Sequence, residues 1–242
     1  MSNFAIIPAA GNGERLNNFD SKVLAMILGK PLLCYTLDIF EETDKIDEII
    51  LVIRKKDYPK IEEEVINKNR YKKIKKIVTG GLTRQESVYH GLMAITEKDG
   101  IVCIHDGARP LVKKWMIEES IESIESIRIT DNHDGVILAV PATDTIKMVK
   151  LPDMVVEKTI DRNKFWTIQT PQTFKLGRIR ELYERAIEEG LMVTDDASIL
   201  EYYGGKVGII RGSEENIKIT TIVDLKLAEV LLKRNYNGEY DR

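Results

Sequence analysis

Four stretches of the chain are apolar without a break: Phe4 to Ile7, Ile49 to Ile53, Ile101 to Ile104 and Val136 to Val140. A strand with one wet face alternates polar and apolar residues, whereas a strand covered on both faces does not, so these runs predict a buried parallel sheet. Between them the spacing becomes helical. Leu33, Leu37 and Phe40 share a face after Pro31, which suits a first helical turn, and Ile117, Ile121 and Ile124 repeat along 113–127 with glutamates between them. Strand and helix in alternation imply right-handed crossovers and a doubly wound, three-layer α/β fold.

The pattern breaks at Pro141. From there to about Phe165 polar and apolar residues alternate around a turn signal at Leu151-Pro152-Asp153, as in an extended two-stranded arm. An isolated hairpin is marginal in water, so the arm is expected to pack on a partner, most simply a second copy of the chain. The α/β pattern then resumes with a helix near 177–189, a short helix around 195–203, a strand at 207–210 and a terminal helix from about 222 to 234. The expectation is one domain over residues 1–242, with the arm at about 141–165 as its appendage.

Composition narrows the partners. Hydrophobic residues make up 43% and charged ones 31%, with 36 basic against 39 acidic side chains and a net charge of −3. That balance argues against nucleic acid as the main partner, and no run reaches the roughly 18 apolar residues of a membrane span. The lysines of "RYKKIKK" at 70–76 read as a solvated face leading into a strand. The start of the sequence lacks a secretory pattern, which predicts a cytoplasmic protein. Cys34 and Cys103 sit in apolar surroundings without metal-type spacing, and are read as buried reduced thiols.

The first strand runs directly into "PAAGNGERLNNFDSK". In an open α/β sheet ligands bind beyond the carboxyl ends of the strands, and glycine-bearing turns there expose N–H groups that cradle phosphate. The Walker pattern fails because Lys22 follows Ser21, and the dinucleotide pattern fails because Leu16 stands where a third glycine is needed. What remains is G-x-G-x-R and a lysine seven residues on, two cations able to grip a triphosphate. By itself this also fits a structural turn with two solvated cations.

Seven ordered motifs carry a resemblance over nearly the whole chain: "PAAGNGERL" with Lys22, "GGLTRQES" at 80–87, "HDGARP" at 105–110, "DTIK" at 144–147, "DRNKFWTIQTPQTF" at 161–174, "TDDAS" at 194–198 and "NIKIT" at 216–220. Together they resemble the 2-C-methyl-D-erythritol 4-phosphate cytidylyltransferases. The resemblance implies a Rossmann-like nucleotidyltransferase sheet with a projecting β-arm that forms a homodimer, joining CTP to methylerythritol phosphate with release of pyrophosphate in the non-mevalonate isoprenoid pathway. It implies a phosphate turn formed by Ala9, Ala10, Gly11 and Gly13, with Arg15 and Lys22 stabilising the transition state and Lys218 completing the cationic cage. Gly81 and Ser87 would read cytosine, with Arg84 in the same loop. Asp106 would place ribose, acceptor or a Mg²⁺ ion held mainly by the CTP phosphates, and Arg109 would order the acceptor side. Thr145 and Arg162 would reach from the arm to the acceptor phosphate in the partner's site, and Thr170 and Thr194 would meet methylerythritol hydroxyls.

The match departs from the usual pattern at "DSKVLAM", where proline and glutamine commonly flank the lysine, and at Leu82, where an acid is frequent. Two rivals share much of this pattern. A ribitol 5-phosphate cytidylyltransferase is set aside by "DTIK", "DRNKFW" and "TDDAS"; a non-catalytic nucleotide-binding scaffold has no need of Arg15, Lys22, Asp106, Arg162 and Lys218 together. A dehydrogenase is disfavoured by Leu16 and by the lack of a ribose-binding acid after a second strand.

Overall fold

In the computed structural model, which describes residues 2–11, 21–126 and 133–236, the four apolar runs are strands of one seven-stranded sheet. The strands in chain order are β1 (Asn3–Pro8), the short pair β2 (Met26–Ile27) and β3 (Lys30–Pro31), β4 (Glu48–Ile53), β5 (Ile74–Thr79), β6 (Ile101–Ile104), β7 (Gly135–Pro141), β8 (Lys147–Lys150), β9 (Val155–Thr159), β10 (Trp166–Lys175) and β11 (Val207–Arg211). The large sheet has the order β11-β7-β10-β6-β1-β4-β5. Its helices are α1 (Leu32–Glu42), the broken segment α2 (Tyr58–Ile61) and α3 (Asn67–Asn69), then α4 (Arg84–Ala94), α5 (Lys114–Glu125), α6 (Leu176–Glu188), α7 (Ala197–Tyr202) and α8 (Ile222–Tyr236).

The unbroken runs have the predicted cause. Successive residues of a strand point to opposite faces, so Ala5 and Ile7 of β1 join Ile49 and Leu51 of β4 in one core with Leu33, Leu37, Ile117 and Ile121. Phe4 and Ile6 join Ile50 and Val52 in the opposite core, against Val88 of α4 and Ile179 and Leu182 of α6. A third, smaller cluster seats α8 through Ala228 and Leu232 on Leu32 and Tyr35 of α1. Burying a Leu or Ile side chain contributes about 1.5–3 kcal/mol, so these two-faced strands fix the sheet. Both cysteines are buried and unbridged, as expected.

The sheet is not wholly parallel. β10 runs antiparallel between β6 and β7, while β1, β4, β5 and β6 pair in parallel, as do β7 and β11. The arm explains the reversal. β8 and β9 form an antiparallel hairpin beyond the carboxyl end of β7, so the chain re-enters the sheet at the strand end where it left and runs back beside β7. Every residue of β8 and β9 is exposed.

Candidate functional site

The carboxyl ends of β1, β4, β5 and β6 lie side by side, and a cavity of about 220 Å³ opens beyond them. Ala9, Ala10 and Gly11 after β1 form one wall, Lys22 stands beside them, and Gly81, Arg84 and Ser87 at the start of α4 form a second; Asp106 after β6 and Lys218 complete it. Nine residues singled out from the sequence thus meet in one space. Gly13 and Arg15 lie outside the described residues.

Local chemistry sets the second wall. Thr83 caps α4 in a capping box, its hydroxyl accepting from the Glu86 N–H at 3.0 Å while the Glu86 carboxylate takes the Leu82 and Thr83 N–H groups. Ser87 Oγ accepts from the Gly81 N–H at 3.1 Å and donates to the Thr83 carbonyl at 2.8 Å, so the loop that would face a base is braced by the hydroxyl itself. Gly80 allows the two walls to approach: a Cβ there would stand 2.4 Å from Ala10 Cβ and 2.7 Å from Ser87 Oγ.

Asp106 is the centre of the charge. Its carboxylate is 6% exposed; Oδ1 accepts from Arg84 Nε at 2.8 Å, and Oδ2 lies 2.6 Å from Lys218 Nζ and 3.9 Å from Arg109 Nε. Burial pushes its pKa up, but Arg84, Lys218 and Arg109 outweigh that and hold the carboxyl well below the usual range. Arg84 shows the mirror image, since burial lowers its pKa while Asp196 and Asp106 raise it well above the ordinary value. For Arg109, burial wins over Asp106 and the pKa is lowered.

Behind Asp106 the polar groups are fixed one by one. Its N–H donates to Thr170 Oγ1 at 3.1 Å, and the same hydroxyl lies 3.1 Å from Nδ1 of His105. Burial pushes His105 down to about 4, so the ring is neutral near pH 7. The Arg109 carbonyl, 3.2 Å from Nε2, can only accept; the ring proton therefore sits on Nε2 and Thr170 donates to Nδ1. Thr170 is buried with its hydroxyl engaged on both sides, and its position braces the Asp106 backbone. Arg109 donates to the Asn216 carbonyl at 2.6 Å, and Asn216 Nδ2 donates to the Thr170 carbonyl at 2.9 Å, which pins the segment carrying Lys218.

The remaining predicted residues stand apart. Thr194 is exposed and lines a neighbouring recess with Arg84, Tyr183 and Asp195. Thr145 and Arg162 are exposed on the arm, where Arg162 donates to the Thr143 carbonyl at 2.7 Å.

Comparison with known proteins decides the family. The family model for 2-C-methyl-D-erythritol 4-phosphate cytidylyltransferase matches residues 3–234. The chain belongs to this cytidylyltransferase family. A relative from Clostridium acetobutylicum bearing that name is 44% identical over 233 residues, covering 96% of this chain and 98% of its own. The crystal structure of 4-diphosphocytidyl-2C-methyl-D-erythritol synthase from Anaerococcus prevotii superposes with a TM-score of 0.83 at 34% identity, over 96% of both chains. The cytidylyltransferase of Francisella tularensis gives 0.79 at 33% identity, over 95% of this chain and 99% of its own.

Several residues in and behind this cytidylyltransferase cavity were not singled out from the sequence, although Gln172 and Asp196 lie within its motifs. Arg54 lines it and is clamped by Asp57 through Nε at 2.7 Å and NH2 at 3.1 Å; Asp57 also accepts from the Ser21 hydroxyl at 3.0 Å, which anchors the residue before Lys22. Asp196 and Gln172 support Arg84 from behind. Asp57 lies in the charged run from Arg54 to Lys60 and Asp196 follows another acid in "TDDAS", so neither stands out locally; burial in the fold is what marks them. Among the described residues no group of three or more His, Cys, Asp or Glu side chains forms a metal site, and no helix is long and apolar enough to cross a membrane.

Proposed function

We propose that the cavity at the strand ends is where this cytidylyltransferase joins CTP to 2-C-methyl-D-erythritol 4-phosphate, its step in isoprenoid biosynthesis. A phosphate oxygen of the acceptor attacks the α-phosphorus of CTP, the bond to the β-phosphate breaks, and pyrophosphate leaves. The observation that carries this reading is the meeting of a glycine-bearing phosphate turn, Lys22, Lys218 and Asp106 in one cavity.

The attacking phosphate is already ionised, so no general base is needed. The protein's task is to align two anions and neutralise the charge that grows between them. Lys22 and Arg15 hold the triphosphate and steady the pyrophosphate as it departs. Lys218, set by Asp106, meets the α-phosphate. Gly81, Ser87 and the capped start of α4 receive the base, and Arg109, Thr170 and Thr194 form the acceptor side, Thr170 by fixing the Asp106 backbone.

Mg²⁺ is proposed to enter with the CTP phosphates. Mg²⁺ commonly takes one or two protein carboxylates beside substrate phosphates. Asp106 is the one carboxylate that lines the cavity among the described residues, which fits that mode and no all-protein cage. The ion would add positive charge across the phosphates.

The acceptor phosphate is assigned to Thr145 and Arg162 of a second copy, through a homodimer built on the arm, and the protein to the cytoplasm. What supports the dimer is the arm's composition: Met148, Leu151, Met154, Val155 and Val156 are all exposed in the single chain. Purified protein given CTP and Mg²⁺ is expected to release pyrophosphate with methylerythritol 4-phosphate and not with ribitol 5-phosphate. Silence with the first acceptor contradicts the reading.

A further inference from the structure

Asp196 does not line the cavity, yet it is the most completely enclosed acid near it, with no exposed surface. Burying a carboxylate is costly unless charge and hydrogen bonds compensate it. Here both oxygens are taken by one guanidinium: Arg84 NH1 donates to Oδ1 at 2.8 Å and NH2 to Oδ2 at 2.7 Å. Tyr183 of α6 adds its hydroxyl to Oδ1 at 2.5 Å. The Asp196 N–H donates to Gln172 Oε1 on β10 at 3.0 Å, as does the Ala197 N–H. The acid is therefore tied to a central strand and a core helix.

The far side of the same guanidinium donates from Nε to Asp106 Oδ1. A guanidinium is planar, with donors in a fixed fork. Holding its outer edge therefore fixes where Nε–H points, and so the plane of the Asp106 carboxylate. The other oxygen of Asp106 is thereby aimed at Lys218. With both edges on protein carboxylates, Arg84 is a strut, and its charge is compensated before any phosphate enters the cavity.

We infer that Asp196 is a positioning residue for cytidylyl transfer, acting through Arg84 to fix Asp106 and with it the Lys218 ammonium. This rests on the reading that Asp106 and Lys218 stand at the reacting centre. A misplacement of about 1 Å at such a centre costs on the order of 10²-fold in rate.

The test compares Asp196→Asn, Tyr183→Phe, Asp106→Asn and the Asp106→Asn/Asp196→Asn double variant. Pyrophosphate release gives kcat and KM, calorimetry gives the CTP Kd, and circular dichroism fixes a temperature at which each variant is folded. Asp196→Asn should lower kcat roughly 30- to 100-fold while the CTP Kd stays within about threefold. In the double variant the second change should cost less than about threefold, because nothing remains for Asp196 to position. Tyr183→Phe should show the same split at about threefold to fivefold, and decides the question if Asp196→Asn does not fold. A lowered kcat in Asp106→Asn with a normal one in folded Asp196→Asn overturns this inference alone. A normal kcat in Asp106→Asn overturns the reading beneath it as well. Parallel loss of kcat and CTP affinity, or additive losses in the double variant, reduces Asp196 to a structural part and also overturns the inference.

Discussion

The wall around Asp106 and the arm differ most in what holds their charged side chains. Arg84 has one edge of its guanidinium on Asp196 and the other on Asp106, both carboxylates buried. Arg162 makes a single bond to the Thr143 carbonyl and stands exposed on an arm whose strands touch solvent on both faces. The wall is preorganised within one chain, because its charges are compensated before a substrate arrives. The arm is held by its own hairpin ladder, and its charged side chains have no such buried compensation. On the proposed reading the two regions are halves of one site contributed by two copies.

The sharpest way to break this contrast is Lys218→Ala. On the proposed reading this removes a preorganised cation at the developing charge and should lower kcat by about 10²- to 10³-fold, read from pyrophosphate release, with the melting temperature little changed. Near-normal turnover would take the wall out of the chemistry. Gly80→Ala comes next. Its Cβ would press on Ala10 and Ser87 and part the phosphate turn from the α4 loop, so KM for CTP should rise about tenfold or more while the acceptor KM holds. An unchanged KM for CTP would show that the close approach is not needed.

The arm answers to a different probe. Val155→Glu places a charge among the exposed apolar side chains, and should weaken self-association at least about tenfold in sedimentation without moving the melting of the core. Unchanged association would release these side chains from the proposed interface. The last probe concerns pH and reads stability rather than turnover or association. His105 titrates near 4 in the fold against 6.5 as its ordinary value, so below about 6.5 the unfolded chain binds a proton that the folded chain refuses. Stability from this group is complete above 6.5 and is lost as pH falls towards 4, by up to roughly 3 kcal/mol. His105→Gln should flatten denaturation midpoints between pH 6.5 and 4.5; parallel curves would contradict this.

The two regions were also unequally legible in the sequence. The four apolar strands announced themselves because both of their faces are covered by apolar neighbours. β10 did not, because it turns Gln169, Thr170, Gln172 and Thr173 inward where it borders the site, and its hydropathy resembles a loop. The motif residues of the cavity were found through their order along the chain. Arg54 and Asp57 were not, since they lie outside those motifs, and Asp196, though within "TDDAS", was not singled out: it bonds Arg84 112 residues away and nothing local couples the two. The exposed β8–β9 hairpin was legible from its alternation. What the proposed interface would meet lies on a second surface, which no single chain's pattern specifies.

The most direct test of the shared site mixes two inactive variants, Lys22→Ala and Arg162→Ala, under conditions of confirmed subunit exchange. In a mixed dimer one site lacks both groups and the other keeps both. Random pairing in equal amounts should therefore restore about a quarter of wild-type turnover. Recovery to that level is what the account predicts; no recovery, with exchange demonstrated, would contradict an arm that completes its partner's site.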